Sequence, residues 1–208
     1  LLTAKASAPG GASAFPAVLP ATGRHTTHAE MRVVRVDPPI VAADAGRERI
    51  VRVAGDCDYV LIDCASGFDD TTAKLAAAAD RLLVVTTPEP AALAESYATL
   101  KLARRSGFSG AADVVVNFAR RVRDAERTAR RMARVAEQFL GLSPRCIGHI
   151  SHDAHVPRAA RQRVALVSRY PNCAASACIR EISRRLAPMA PRSIRRAHLW
   201  RRVAALFL

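Results

Sequence analysis

Four short apolar runs limit what this chain can become. They are Asp58–Asp63 (DYVLID), Arg81–Thr87 (RLLVVTT), Asp113–Phe118 (DVVVNF) and Arg145–Ile150 (RCIGHI). Each is too short for a helix that buries itself, and each is rich in β-branched or large aliphatic residues. Their apolar residues run on continuously where a half-buried strand would alternate. A strand of that kind is covered on both faces, which is the habit of parallel sheets. Helix patterns lie between the runs. Residues 71–79 are alanine-rich. Pro90 stands at a helix start, Leu93, Tyr97 and Leu100 recur at helical spacing, and Gly107 ends the pattern. Residues 123–140 carry Met132, Val135 and Phe139 toward one side, and 173–187 form another helix. The expected fold class is therefore α/β: a mostly parallel sheet with helices on both faces. A further strand is expected at Arg32–Val36, a modest helix over 45–55 and a terminal helix from Ile194.

Length and composition remove the competing classes. At 208 residues and 50% hydrophobic content, the chain can bury a sizeable core, so wholesale disorder is excluded. No apolar run approaches the ~18–20 residues that span a bilayer. The five cysteines form no CxxC pair, which favours reduced, buried thiols over a disulfide framework. Residues 6–23 lack charge, but their prolines and glycines make a loop. The pattern divides into a loop-rich remnant (1–31), an α/β domain (32–190) and a basic amphipathic helix (191–208). The first residue is not Met, and nothing here reads as the first strand of such a sheet. A chain beginning within a longer protein is expected. The net charge of +14 is concentrated after residue 100, and only Lys5, Lys74 and Lys101 are lysines. A basic half implies an anionic partner: nucleic acid, an acidic protein or a lipid surface.

In parallel sheets chemistry gathers at the carboxyl ends of strands. Asp63 ends the first run, where a carboxylate can hold the water shell of Mg²⁺ or simply cap the next turn. CASGFDD follows, with Gly67 where a backbone N–H can approach a phosphate. TTPEP ends the second run. Asn117 ends the third, with both a donor and an acceptor for the edge of a base, or for a turn. At the fourth, in GHISHDAHV, Asp153 either caps the next helix or faces a ribose or base. His149, His152 and His155 lie near it. With His149 in a strand and the other two in a loop, ordinary polar positions are expected rather than a metal site. Arg120, Arg121, Arg123, Arg127, Arg130, Arg131 and Arg134 make a basic face, either a solvated helix surface or a nonspecific DNA contact.

The order of these elements resembles the MinD/ParA family of deviant Walker ATPases over residues 58–156. CDYVLIDCASGFDDTTAKLAAAADRLLVVTTPEPAALAESYATLK, then VVNF and GHISHD, looks most like the flagellar-number regulator branch, the FlhG or YlxH type. The resemblance implies a P-loop NTPase fold with ATP and Mg²⁺ as cofactors. It implies Asp63 as the Walker B aspartate, Gly67 in switch II near the γ-phosphate, Asn117 at the adenine and Asp153 beside base and ribose. It implies an ATP-dependent homodimer that acts as a switch in the cytoplasm and meets a flagellar GTPase or switch protein. Cell-division or chromosome-partitioning roles are the alternative.

The departures from the family are specific. No stretch reads G-x-x-x-x-G-K-[ST], so a lysine-bearing cradle for the β- and γ-phosphates is missing. Ala65, Ser66 and Ser151 stand where the branch carries Gly, Ala and Pro. The 208 residues alone are not expected to hydrolyse ATP, and a P-loop-less interaction module is a further reading. At the C-terminus, Leu199, Trp200, Val203, Leu206 and Phe207 share one helical arc, with Arg195, His198, Arg201 and Arg202 on the other side. Such a helix suits the surface of an anionic membrane, on the inner face of the plasma membrane, or packs back on the domain.

Overall fold

The computed structural model describes residues 2–5, 61–64 and 70–186. The expected strand at 32–36, the helix over 45–55, Gly67 and the C-terminal helix all lie outside the described residues. In chain order the elements are β1 (Leu2–Lys5), β2 (Ile62–Cys64), α1 (Asp70–Ala78), β3 (Arg81–Thr86) and α2 (Pro90–Arg105). There follow β4 (Ala111–Ala119), α3 (Val122–Leu140), β5 (Arg145–Ser151), α4 (His155–Gln162), α5 (Leu166–Arg169) and α6 (Ala174–Leu186).

The five strands form one parallel sheet in the order β2-β1-β3-β4-β5. The expected fold class is thus observed. One expectation is corrected. Leu2–Lys5, read as part of a loop and with the first strand held to be absent, is the strand between β2 and β3. Thr3 pairs with Asp63 on one side and with Leu83 on the other. Four residues preceding a Gly/Pro-rich stretch carry no periodicity of their own. The open backbone edges of β2 and β3 make a strand there, because each unpaired N–H and C=O between two strands must find a partner.

The sheet buries both faces. Leu82, Val84, Val114 and Val116 face one way, into a core with Ala76 of α1, Leu100 and Ala103 of α2, Met132 and Ala136 of α3, and Phe108. Leu83, Val115 and Ile147 face the other way, against Ile182 of α6. Adjacent strand residues therefore serve opposite cores, which is why the runs are continuously apolar. Each fully buried Leu or Val contributes about 1.5–3 kcal/mol of transfer free energy.

Pro90 opens α2 as expected. The buried stripe of α3 is Ala125, Thr128, Ala129, Met132 and Ala136. Phe139, expected on the apolar side, is 65% exposed instead. It sits in the last turn of α3, before the left-handed Gly141, where the helix is running past the edge of its core contact. None of the four described cysteines forms a disulfide, but Cys146 is exposed and Cys64 alone among them is buried. At the amino end of β4, Asp113 is fully buried and pairs with Arg81 of β3 and, at 3.1 Å, with Arg145 of β5. At the neighbouring entry to β4, a Cβ on Gly110 would lie 2.4 Å from the backbone oxygen of Asp80, so only glycine lets the chain pass.

Candidate functional site

Because all strands run the same way, Asp63, Thr86, Asn117 and Ser151 reach the same edge of the sheet. This is where open parallel sheets bind ligands. Asp63 is exposed on β2, opposite Thr3 of β1.

The end of β4 is irregular in an informative way. Val116 pairs with His149, and the next pair is Ala119 with Ser151. One more residue is thereby spent on β4 than on β5, forming a β-bulge at Asn117 and Phe118. Such bulges re-aim side chains next to functional sites. Phe118 takes up the bend with φ +54°, a left-handed conformation that bulky residues rarely adopt. Its N–H donates to Asn117 Oδ1 at 2.9 Å. The strand ends are re-joined beyond the bulge by His152 N–H donating to the Ala119 carbonyl at 3.4 Å. Between them lies a cavity of about 380 Å³ lined by Ala119, Arg120, Ser151 and His152.

The end of β3 is tied to the same region. A hydrogen bond from the Thr87 side chain, the Glu89 backbone N–H and the charge of Arg120 hold the Glu89 carboxyl below the usual carboxylate range. Thr86, beneath it, is fully buried.

Asp153 points its carboxylate inward. Oδ1 accepts from the His155 N–H at 2.9 Å and lies 2.8 Å from His155 Nδ1. Oδ2 accepts from the Ala175 N–H at 3.1 Å. One side chain, only 7% exposed, therefore serves the N-termini of both α4 and α6. The His155 N–H, the Ala175 N–H, the His155 ring and the Cys173 thiol hold its pKa far below the ordinary aspartate value. Both oxygens are engaged in capping, the first of the two roles open to this residue from the sequence. His155, expected in a loop, opens α4, because this cap supplies the helix start. Ligand atoms of Asp153, His155 and Cys173 lie within 4.8 Å of one another, while His149 and His152 stand apart from that group.

Of the implied site residues, the structure thus brings Asp63, Asn117 and Asp153 to one edge of the sheet. Gly67, Leu199, Trp200, Val203, Leu206 and Phe207 lie outside the described residues. Sequence reasoning missed Phe118, whose ring centroid lies 6.0 Å from that of His152. An aromatic directly after a strand-ending Asn was the available signal. It looked like the last core residue of the strand.

A five-stranded parallel sheet with helices on both faces and a cavity at its carboxyl edge define an open α/β fold. Comparison with known proteins narrows this. The chain is 23% identical over 134 residues to the antiactivator FleN of Pseudomonas aeruginosa, a match covering 64% of this chain and 48% of that protein. It is 27% identical over 132 residues to the flagellum site-determining protein YlxH of Helicobacter pylori, covering 63% and 44%. In structure it is similar to the cell division ATPase MinD of Pyrococcus furiosus, with a TM-score of 0.53 at 18% identity, covering 74% of this chain and 60% of that one. No protein-family model matches. In sequence the chain is similar to the flagellar regulators FleN and YlxH, and its fold is that of the MinD-type ATPase. The match spans about half the length of these curated relatives.

Proposed function

We propose that this chain is the nucleotide-sensing part of a MinD/ParA-type switch that regulates the number or placement of flagella. The observation that carries the reading is the convergence of Asp63, the Asn117 bulge and the 380 Å³ cavity on one edge of a parallel sheet. The donor set fits an adenine nucleotide. Asp63 offers an exposed carboxylate to the water shell of Mg²⁺, and Asn117 offers an amide to a base edge. ATP with Mg²⁺, when bound, supplies the γ-phosphate whose presence or loss a switch reads. In this reading Asp153 acts beside the base and ribose by fixing the segment that carries Ser151 and His152. An ATP-dependent homodimer, a flagellar GTPase or switch protein as partner, and docking of residues 199–207 on anionic lipid complete the proposal.

One observation favours a second reading for the chain as it stands. β1 is followed by residues 6–23, which contain Gly10 and Gly11 but no lysine. In P-loop proteins the loop after that strand carries the lysine that reaches the β- and γ-phosphates. A sensor that binds nucleotide without turning it over is consistent with this.

Two measurements test the function. Removing the gene and counting flagella by electron microscopy should change their number or position. Normal flagella together with misplaced division sites or lost plasmids would replace the flagellar role by the division or partition role. In vitro, the chain should bind ATP in preference to GTP without hydrolysis above background, and vigorous turnover would sink the sensor reading.

A further inference from the structure

Asp153 follows the end of β5, His155 opens α4, and Cys173 is the residue before α6. The fold brings their ligand atoms within 4.8 Å of one another. His155 Nδ1 is 2.8 Å from Asp153 Oδ1. A tetrahedral zinc ion, with bonds of roughly 2.0–2.3 Å, holds its donors about 3.3–3.6 Å apart, so the three groups already stand near that spacing. Capping leaves Asp153 free to take part. A carboxylate has about four lone-pair sites, and the His155 and Ala175 N–H groups use one on each oxygen. Cys173 is a weak choice for a purely structural place. It stands at the N-cap of α6, where its sulfur accepts the Ser176 N–H at 3.4 Å. The oxygen of Ser, Thr, Asp or Asn serves there better, because sulfur is a poor acceptor. A sulfur at that point is explained if it has a second task.

We propose that Asp153, His155 and Cys173 bind one Zn²⁺, with water in the fourth position. A thiolate and an imidazole together select zinc over Mg²⁺ or Ca²⁺. On binding, the Cys173 thiol loses its proton to solvent, and the new S–Zn bond takes its place. The thiolate and the Asp153 carboxylate then cancel the charge of the ion. This matters here, because Arg158, Arg161, Arg163 and Arg169 lie nearby in sequence and no acidic residue occurs between Asp153 and Glu181. The Ser176 N–H and the buried Ser176 hydroxyl, 3.3 Å from the sulfur, are both placed to donate to the thiolate, as outer partners of a metal ligand do. The Asp153 side chain is 7% exposed and that of His155 is 40% exposed, so the ion is shielded on one side and reached from the other. Bound there, it clips the exit of β5 to the starts of α4 and α6. The inference goes beyond the nucleotide reading and does not rest on it.

The test uses the whole 208-residue chain, reduced, stripped of metal with a chelator and kept free of nucleotide. Co²⁺ replaces Zn²⁺ as the spectroscopic probe. One equivalent is expected to bind, with a thiolate-to-cobalt charge-transfer band and the strong visible bands of a tetrahedral site. Zn²⁺ should abolish both by competition. Cys173→Ser keeps the N-cap of α6, so the fold is retained. It should lose the charge-transfer band and bind Zn²⁺ at least ~10-fold more weakly, the smallest loss seen even for outer partners of a metal. His155→Gln should weaken Zn²⁺ as much, and Cys146→Ser should match the parent. A ~100-fold excess of Zn²⁺ over its Kd should raise the thermal midpoint of the parent by roughly 5–10 °C and leave that of Cys173→Ser unchanged. Absence of the charge-transfer band in the parent, its survival in Cys173→Ser, or an equal Zn²⁺-induced midpoint shift in parent and Cys173→Ser overturns the proposal.

Discussion

Asp113 is the residue whose removal has the clearest consequence. Its side chain is fully buried, that of Arg81 is 15% exposed and that of Arg145 is 52% exposed. Asp113→Asn keeps the shape and removes the charge, which strands the Arg81 guanidinium in a largely desolvated position. Breaking a buried pair from one side costs about 3–5 kcal/mol. The half-exposed Arg145 is screened by solvent and adds no more than about 1 kcal/mol. Against a total stability of about 5–15 kcal/mol this is a large loss. With a urea slope of about 2 kcal/mol/M, the unfolding midpoint should fall by roughly 2 M, read by far-UV circular dichroism. Arg81→Ala should cost nearly as much as Asp113→Asn, and Arg145→Ala far less. Replacing the buried pair by Asp113→Leu with Arg81→Leu should recover most of the loss, since the desolvation penalty disappears with the charges. The node is at the amino end of β4, away from the cavity, so the affinity of the folded fraction for nucleotide should not change. A midpoint shift under ~0.5 M for Asp113→Asn, or equal losses for Arg81→Ala and Arg145→Ala, would refute this assignment of burial and charge.

Three further expectations follow from other parts of the molecule. Gly148→Ala would place a Cβ 2.6 Å from Ile182 Cγ1, so α6 must shift on the sheet; a loss of about 1–3 kcal/mol is expected by chemical denaturation, and Gly148→Ala should cost less in an Ile182→Ala background, where that γ-carbon is gone. The Asp153 pKa is lowered in the folded state, so its contribution is present above the unfolded-state value near 4 and is lost as pH falls below it; Asp153→Asn should lower stability at pH 7 and flatten the acid side of a stability–pH curve, and parallel curves for the two proteins would exclude the double cap. Deleting residues 195–208 should abolish co-sedimentation with anionic vesicles while leaving the unfolding midpoint unchanged, and a deletion that unfolds the domain would assign that segment to the core instead.

The local part of the fold was legible because periodicity and punctuation are local. Continuous apolar runs could only be doubly covered strands, and Pro90 and Gly107 marked the ends of α2 to within two residues. The carboxylate and amide at strand ends were legible for the same reason, since a strand's direction carries its last residue to the ligand edge. What the tertiary structure alone decided depends on pairs distant in sequence. Leu2–Lys5 becomes a strand only because β2 and β3 present unpaired edges on either side. Phe118 is turned out of the core by a mismatch of one residue between β4 and β5, and no pattern within either strand records that count. Asp153 faces inward because residue 175 brings a second helix N-terminus to it, 22 positions along the chain. A sequence states the preferences of each segment, but register and charge pairing are settled where segments meet, because a hydrogen bond or a buried charge is satisfied by whichever partner the packed fold delivers.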